Sequence, residues 1–233
     1  MKRLNLESSC RNCLYKINLP FRYLTNLESE NLSCDKSILF YEKGEKIYRE
    51  GSYLSGFYCV TEGIVKLYKT GINGKEQIIR FAKAGDIIAY RSVLSSEASC
   101  TSAKVIRDVK ICFIPSKNLF KFIKTNGNFA IQLIKKACVE LGESNDYIMN
   151  IAQNSVKKRL IEILIHLKEE FGLDEEGFIN IYLTREELAN IAGTATESVI
   201  RLLSSLKSKK LLYLKGKKIK ILNKKKLILE FNF

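Results

Sequence analysis

The 233-residue chain contains a single histidine, His166. That scarcity removes most of the nucleophile–base pairs on which general acid–base chemistry depends. His166 lies in Leu160-Ile-Glu-Ile-Leu-Ile-His-Leu-Lys, an apolar helical stretch, so a structural role is expected of it. No P-loop, GxSxG, HExxH or GxGxxG pattern is present, and nothing in the sequence supports an enzyme. No apolar run reaches the roughly 20 residues that a membrane span requires. The opening Met1-Lys-Arg-Leu-Asn-Leu-Glu-Ser has no apolar core of a secretory signal, so a cytoplasmic location without a membrane partner is expected. Acidic residues are few beside the basic ones: 39 Lys+Arg against 25 Asp+Glu gives +14, a surplus that suits a polyanionic partner. The seven cysteines are an odd number and do not form a disulfide framework; most are expected to be small buried residues.

Hydrophobic residues make up 46% of the chain, enough for two modest domains or one large one. Residues 1–33 read as a polar N-terminal arm with one Cys-x-x-Cys. Residues 34–125 have a β texture. Gly56-Phe-Tyr-Cys-Val, Ile64-Val-Lys-Leu-Tyr and Gln77-Ile-Ile-Arg-Phe are short β-branched and aromatic runs, punctuated by Gly44, Gly51, Gly63, Gly74 and Gly85. Asn73-Gly74 is a hairpin signal, because both turn positions would need positive φ. Closely spaced strands with regular turns predict a sandwich or roll.

The period then changes. Ser116 is a candidate cap for a helix over Lys117–Lys124. A long helix follows within 126–153, on which Ala130, Ile134, Ala137, Leu141, Ser144, Ile148 and Ile151 are spaced 4-3-4-3-4-3. A 3.5-residue repeat keeps one stripe facing a partner helix, so this seam predicts a homodimer. Residues 154–233 read as a second domain. Its expected parts are a helix over Val156–Phe171 ending at Gly172, a short strand Phe178–Leu183, two short helices and two basic strands joined at Gly216.

The segment Leu183–Leu206 carries the function. Thr184 followed by Glu187 forms a capping box, and Leu188, Ala189 and Ala192 point inward. Gly193 permits a sharp turn, after which a second helix begins near Ala195. Its inner face is Val199, Leu202, Leu203 and Leu206; its outer face offers Thr196, Glu197, Ile200 and Arg201. This is the pattern of a helix-turn-helix. From Arg201 to Lys226 there are eleven Lys/Arg and no Asp/Glu, a placement suited to phosphate contacts around the second helix and a two-stranded wing. The expected DNA-binding set is Thr184, Arg185, Thr196, Glu197, Ser198, Ile200, Arg201, Lys217 and Lys218.

From about Cys34 to Lys226 the chain resembles the cyclic-AMP receptor protein/fumarate-nitrate reduction regulator (CRP/FNR) family. The carrying motifs are Lys43-Gly-Glu-Lys-Ile-Tyr-Arg-Glu-Gly, Val60-Thr-Glu-Gly-Ile-Val-Lys-Leu-Tyr, Ala84-Gly-Asp, Ile111-Cys-Phe-Ile-Pro and Leu183–Leu203, in the family's order. The resemblance implies an α+β protein. An N-terminal double-stranded β-helix, the cyclic-nucleotide-binding-like β roll, is followed by a dimerisation helix and a C-terminal winged helix-turn-helix. It also implies double-stranded DNA and RNA polymerase as partners. Glu197 and Arg201 fall on the positions that read a C and a G, and the chemistry agrees: carboxylate accepts from cytosine N4–H, guanidinium reaches guanine O6 and N7. Thr196 and Ile200 depart from the family's residues, so the half-site is expected to differ.

The same resemblance places an effector cassette between Gly85 and Ala103. Asp86 is assigned there to the ribose-binding glutamate. Thr101 and Ser102 stand where an Arg-Ser pair is expected, so the phosphate-pairing arginine is missing and cyclic AMP is not the expected effector. Arg91 is the nearby candidate substitute. The cysteines suggest a rival sensor. Cys10-x-x-Cys13 and Cys112 resemble ligand positions of the family's oxygen sensor, Leu19 occupies the place of a further one, and Cys34 would supply a fourth thiolate for an iron–sulfur cluster. The reading adopted is ordinary thiols, with an iron–sulfur cluster or zinc as alternatives. The leading function is a homodimeric DNA-binding transcription regulator. The alternatives are a redox-sensing member of the same family and a ligand-sensing module that acts through protein contacts without binding DNA.

Overall fold

The computed structural model describes Lys2–Arg3 (backbone only), Cys10, Cys13 and residues 20–230. The chain divides into two compact units, Met1–Gly142 and Glu143–Phe233.

In the first unit the strands are β1 (Lys2–Arg3), β2 (Ser37–Tyr41), β3 (Lys46–Tyr48), β4 (Gly56–Thr70), β5 (Glu76–Lys83), β6 (Ile87–Ile88) and β7 (Ser102–Pro115). They form one antiparallel sheet in the order β1-β2-β7-β4-β5, with β3 on β7 and β6 on β4. Two runs that look separate in sequence, on either side of Gly63, are one strand of 15 residues. Its ladder with β7 shifts register around Gly63, where φ is +87° and a Cβ would lie 2.1 Å from the Asp108 carbonyl oxygen. Only glycine fits that bulge. The β4–β5 hairpin turns over Gly71–Lys75, a longer loop than a two-residue turn. Gly74 has φ +74°, whereas Asn73 keeps an ordinary φ.

Residues assigned by sequence to the polar arm are more structured than expected. A 3-10 turn, Pro20–Tyr23, leads to α1 (Asn26–Asp35), and Phe21, Leu24 and Leu32 are buried. The start of α1 is fixed by a capping box in which Thr25 and Glu28 satisfy each other's backbone N–H. The same Thr-x-x-Glu signal that marks residues 184–187 was present here. Beyond β6 come α2 (Tyr90–Ser95), α3 (Ser116–Thr125) and α4 (Gly127–Gln153). The residue flanking α3 is Pro115, and no side chain caps it, so Ser116 is the first residue of the helix rather than its cap.

Two apolar clusters hold this unit. One fills the inside of the roll, with Tyr48, Tyr58, Val60, Val65, Ile88 and Ile111. The other packs α1, α3 and α4 on the sheet through Leu32, Phe57, Leu119, Phe122, Phe129 and Leu133. Phe129 and Leu133 commit one stripe of α4 to its own unit. Of the seam positions, Ala137 packs against this same cluster, whereas Ile134, Leu141 and Ile148 are each more than 60% exposed.

In the second unit α5 (Val156–Phe171) is capped by Ser155 and ends at Gly172. It packs with α6 (Arg185–Ala192), α7 (Thr196–Ser208), the β8–β9 hairpin (Leu212–Lys215, Lys218–Ile221) and α8 (Lys224–Leu229). Residues 178–183 form no strand: a single bridge, Leu173 to Ile179, is all that remains. Apolar alternation there serves burial of Phe178, Ile179, Ile181 and Leu183 without a ladder partner. Among the described residues, no helix is long and apolar enough to cross a membrane.

Candidate nucleic-acid interface

The helix-turn-helix is built locally. Thr184 Oγ1 accepts from Glu187 N at 3.0 Å, and Glu187 Oε2 accepts from Thr184 N at 2.8 Å, closing the capping box read from sequence. Thr184 thereby spends its hydroxyl on the helix start. Gly193 ends α6 in the left-handed region, φ 61°, and turns the chain into α7. Leu188, Ala189 and Ala192 on α6 meet Val199, Leu203 and Leu206 on α7, all buried. Arg159 on α5 braces the turn by donating from Nε to the Ala192 carbonyl at 2.9 Å and from Nη1 to the Asn154 carbonyl at 2.8 Å.

With that face buried, α7 presents Glu197, Ile200 and Arg201 to solvent, and Thr196 and Ser198 are half-buried at its start. Carboxylate, apolar and guanidinium groups one turn apart on an exposed helix can address base edges. Arg185 does not stand beside them as a free cation. It is half-buried and donates from Nη2 to the Gly216 carbonyl at 2.9 Å, tying α6 to the tip of the wing.

The wing differs from the reading of its charges. Lys218 Nζ lies 3.1 Å from both Asp174 Oδ2 and Glu176 Oε1, and stacks over the Phe178 and Tyr182 rings. Lys215 reaches Glu176 Oε2 at 3.4 Å, and Lys220 donates to the Glu176 carbonyl at 2.9 Å. The hydrogen bond from Tyr182, with those from Phe178 N and Lys218, holds the Asp174 carboxyl down to about 2. The acidic turn therefore clasps the hairpin, and Lys218 braces it. Lys217, beside Gly216, is exposed and has no ion-pair partner among the described residues.

His166 is not part of an apolar surface. Its side chain is 74% exposed and pairs with Glu170 at 3.4 Å, a contact that raises its pKa.

In the roll, Gly85 and Asp86 form the turn after β5, where Asp86 Oδ2 accepts from Lys83 N at 2.9 Å. That bond closes the turn. Ser102 is buried, and its hydroxyl accepts from Glu50 N at 2.9 Å. Thr101 hydrogen-bonds Tyr48, and Arg91 is exposed on α2.

The cysteines group differently from the set Cys10, Cys13, Cys34 and Cys112. Cys34 is exposed on α1. Cys59 and Cys112 are cross-strand partners on β4 and β7, and Cys10 and Cys13 lie within electrostatic reach of both. Burial pushes the Cys59 thiol well up and the Cys112 thiol to about 11. No three His, Cys, Asp or Glu side chains among the described residues are placed to hold a metal ion. Sequence spacing missed Cys59 because only the β4–β7 register brings it to Cys112.

Two family descriptions match the sequence: cyclic nucleotide-binding domain over residues 38–126 and Crp-like helix-turn-helix domain over residues 158–229. The fumarate and nitrate reduction regulatory protein of Vibrio cholerae is 26% identical over 222 residues, 92% of this chain and 86% of that one. The anaerobic regulatory protein of Bacillus subtilis is 28% identical over 171 residues, 72% of each chain. Among solved structures, FixK2 from Bradyrhizobium japonicum has a TM-score of 0.73 at 24% identity, covering 82% of this chain and 95% of that one. A transcriptional regulator of the Crp/Fnr family from Eubacterium rectale has a TM-score of 0.76 at 19% identity, covering 91% and 97%. At those identities the structures speak for the fold.

The roll, the long helix and the exposed second helix of a winged helix-turn-helix together define a DNA-binding transcription regulator, not an enzyme. The chain belongs to the CRP/FNR family.

Proposed function

We propose that the protein is a cytoplasmic homodimer paired through the α4 seam, with Glu197 and Arg201 reading the half-site of a near-palindromic operator and RNA polymerase as its protein partner. The observation that carries the base-reading role is the exposed face of α7, where Glu197, Ile200 and Arg201 stand open to solvent. A module that binds no DNA would have no use for this face.

Phosphate contact falls to Lys217 and not to Lys218. Lys217→Ala is expected to weaken specific and random DNA alike and to flatten the salt dependence by about one phosphate's worth. Lys218→Ala is expected to lower the melting temperature instead, because it leaves Asp174 without its ammonium partner. Salt titrations of both variants by fluorescence anisotropy test the division. Equal salt slopes for Lys217→Ala and the parent protein would remove Lys217 from the interface.

Cyclic AMP is not the effector on this reading. Thr101 and Ser102 offer hydroxyls already engaged within the roll, and a hydroxyl does not replace a bidentate guanidinium on phosphate. Calorimetry is expected to show no saturable binding at micromolar cyclic AMP. A saturable micromolar isotherm would reverse the assignment and direct attention to Arg91.

A further inference from the structure

The first unit contains a buried charge that DNA binding does not use. Three α4 side chains are buried, Phe129, Leu133 and Glu140, and the third is a carboxylate only 8% exposed. A buried carboxylate is costly unless it is paired and hydrogen-bonded. Here it is both. Its Oε2 accepts from the Tyr90 hydroxyl at 3.0 Å, and its Oε1 lies 3.3 Å from Arg80 Nη2 and 3.3 Å from Lys136 Nζ. Arg80 is held in turn by the Ile87 carbonyl at 3.3 Å, and Lys136 approaches Asp86 Oδ1 at 4.0 Å.

The partners come from the segments that would surround an effector. Arg80 is on β5, Asp86 is in the turn that follows, and Tyr90 opens α2. Two cations and a buried hydroxyl converging on one carboxylate are what the carboxylate or phosphate group of a bound anion would demand. The group that satisfies them is carried by the long helix itself.

We propose that Glu140 is the built-in anionic ligand of the roll: it fills the site of an external anion and locks α4 to the sensor cassette, so that the DNA-binding form needs no small anion. Glu140 is thus a positioning residue, acting on DNA through α4. The proposal rests on the reading of α4 as the dimer helix, which sedimentation of the wild-type protein checks separately.

Chemical rescue tests it. Glu140→Ala deletes two carbons and two oxygens, the atoms of acetate without its hydrogens. In the full-length protein this variant is expected to lose about tenfold in DNA affinity, a loss measurable on a fragment selected with wild-type protein. Added acetate should restore that affinity, while chloride at matched ionic strength should not. The double variant Arg80→Ala/Glu140→Ala should not respond to acetate. Glu140→Gln, nearly the same shape without the charge, should stay folded by thermal melting and show a similar loss. Wild-type affinity in either folded single variant overturns the proposal, and so does an acetate response that persists without Arg80. A folded Glu140→Ala protein whose affinity acetate leaves low makes Glu140 a packing residue and also overturns it.

Discussion

Leu141→Glu is expected to yield a monomer that no longer binds its operator. Leu141 is 61% exposed on the described chain and lies on the stripe with Ile134 and Ile148, while Phe129 and Leu133 serve the roll. A helix of 27 residues with such an apolar stripe exposed suits the proposed seam. In a two-fold seam the substituted carboxylate meets its own copy across the interface, so two unpaired charges are buried together. The penalty is on the order of 3 kcal/mol or more, over ~100-fold in the dimer constant. Since each protomer supplies one recognition helix, DNA affinity should collapse with the dimer. The substitution is outside the core, so the far-ultraviolet circular dichroism should not change. Sedimentation that still shows a full dimer would place the interface elsewhere.

Arg201→Ala is expected to have the largest effect on specificity. Its guanidinium is exposed on α7 in the stretch where a helix can meet base edges, and a bidentate contact to guanine O6 and N7 contributes roughly 1–3 kcal/mol of discrimination. The loss should be confined to one base position in each half-site, with affinity for random DNA nearly unchanged. This is the reverse of the uniform loss expected for Lys217→Ala, so one competition assay with the two variants separates base reading from phosphate attraction. Equal losses for Arg201→Ala on specific and random DNA would reduce it to a phosphate contact.

How far the sequence could be read depended on how local each signal was. The helix-turn-helix was legible because a capping box at Thr184 and Glu187, a glycine at 193 and an apolar stripe act within a few residues of one another. The long helix α4 was legible for the same reason. The roll was legible as a class, from its short β-branched runs, but Gly63 hides a continuous strand because a bulge looks like a turn until the β7 register is known. Long-range partners stayed out of view. Lys218 and Lys217 are equivalent as neighbouring letters, and only the acidic turn 44 residues away in the chain separates their roles. Cys59 reaches Cys112 through pairing across 53 residues of sequence, and Glu140 finds Tyr90 across 50. A carboxylate on an amphipathic helix also matches the ordinary polar face, so its burial left no mark in the periodicity.

The central claim is that two copies of α7, set by the α4 seam, read a symmetric DNA site. Selection of bound sequences from random DNA by the purified full-length protein tests it most directly. The account predicts an enriched near-palindrome with half-sites about one helical turn, ~34 Å, apart and a G·C pair in each half-site that Arg201→Ala ceases to select. Enrichment of a single asymmetric site, or of no sequence at all, would contradict it.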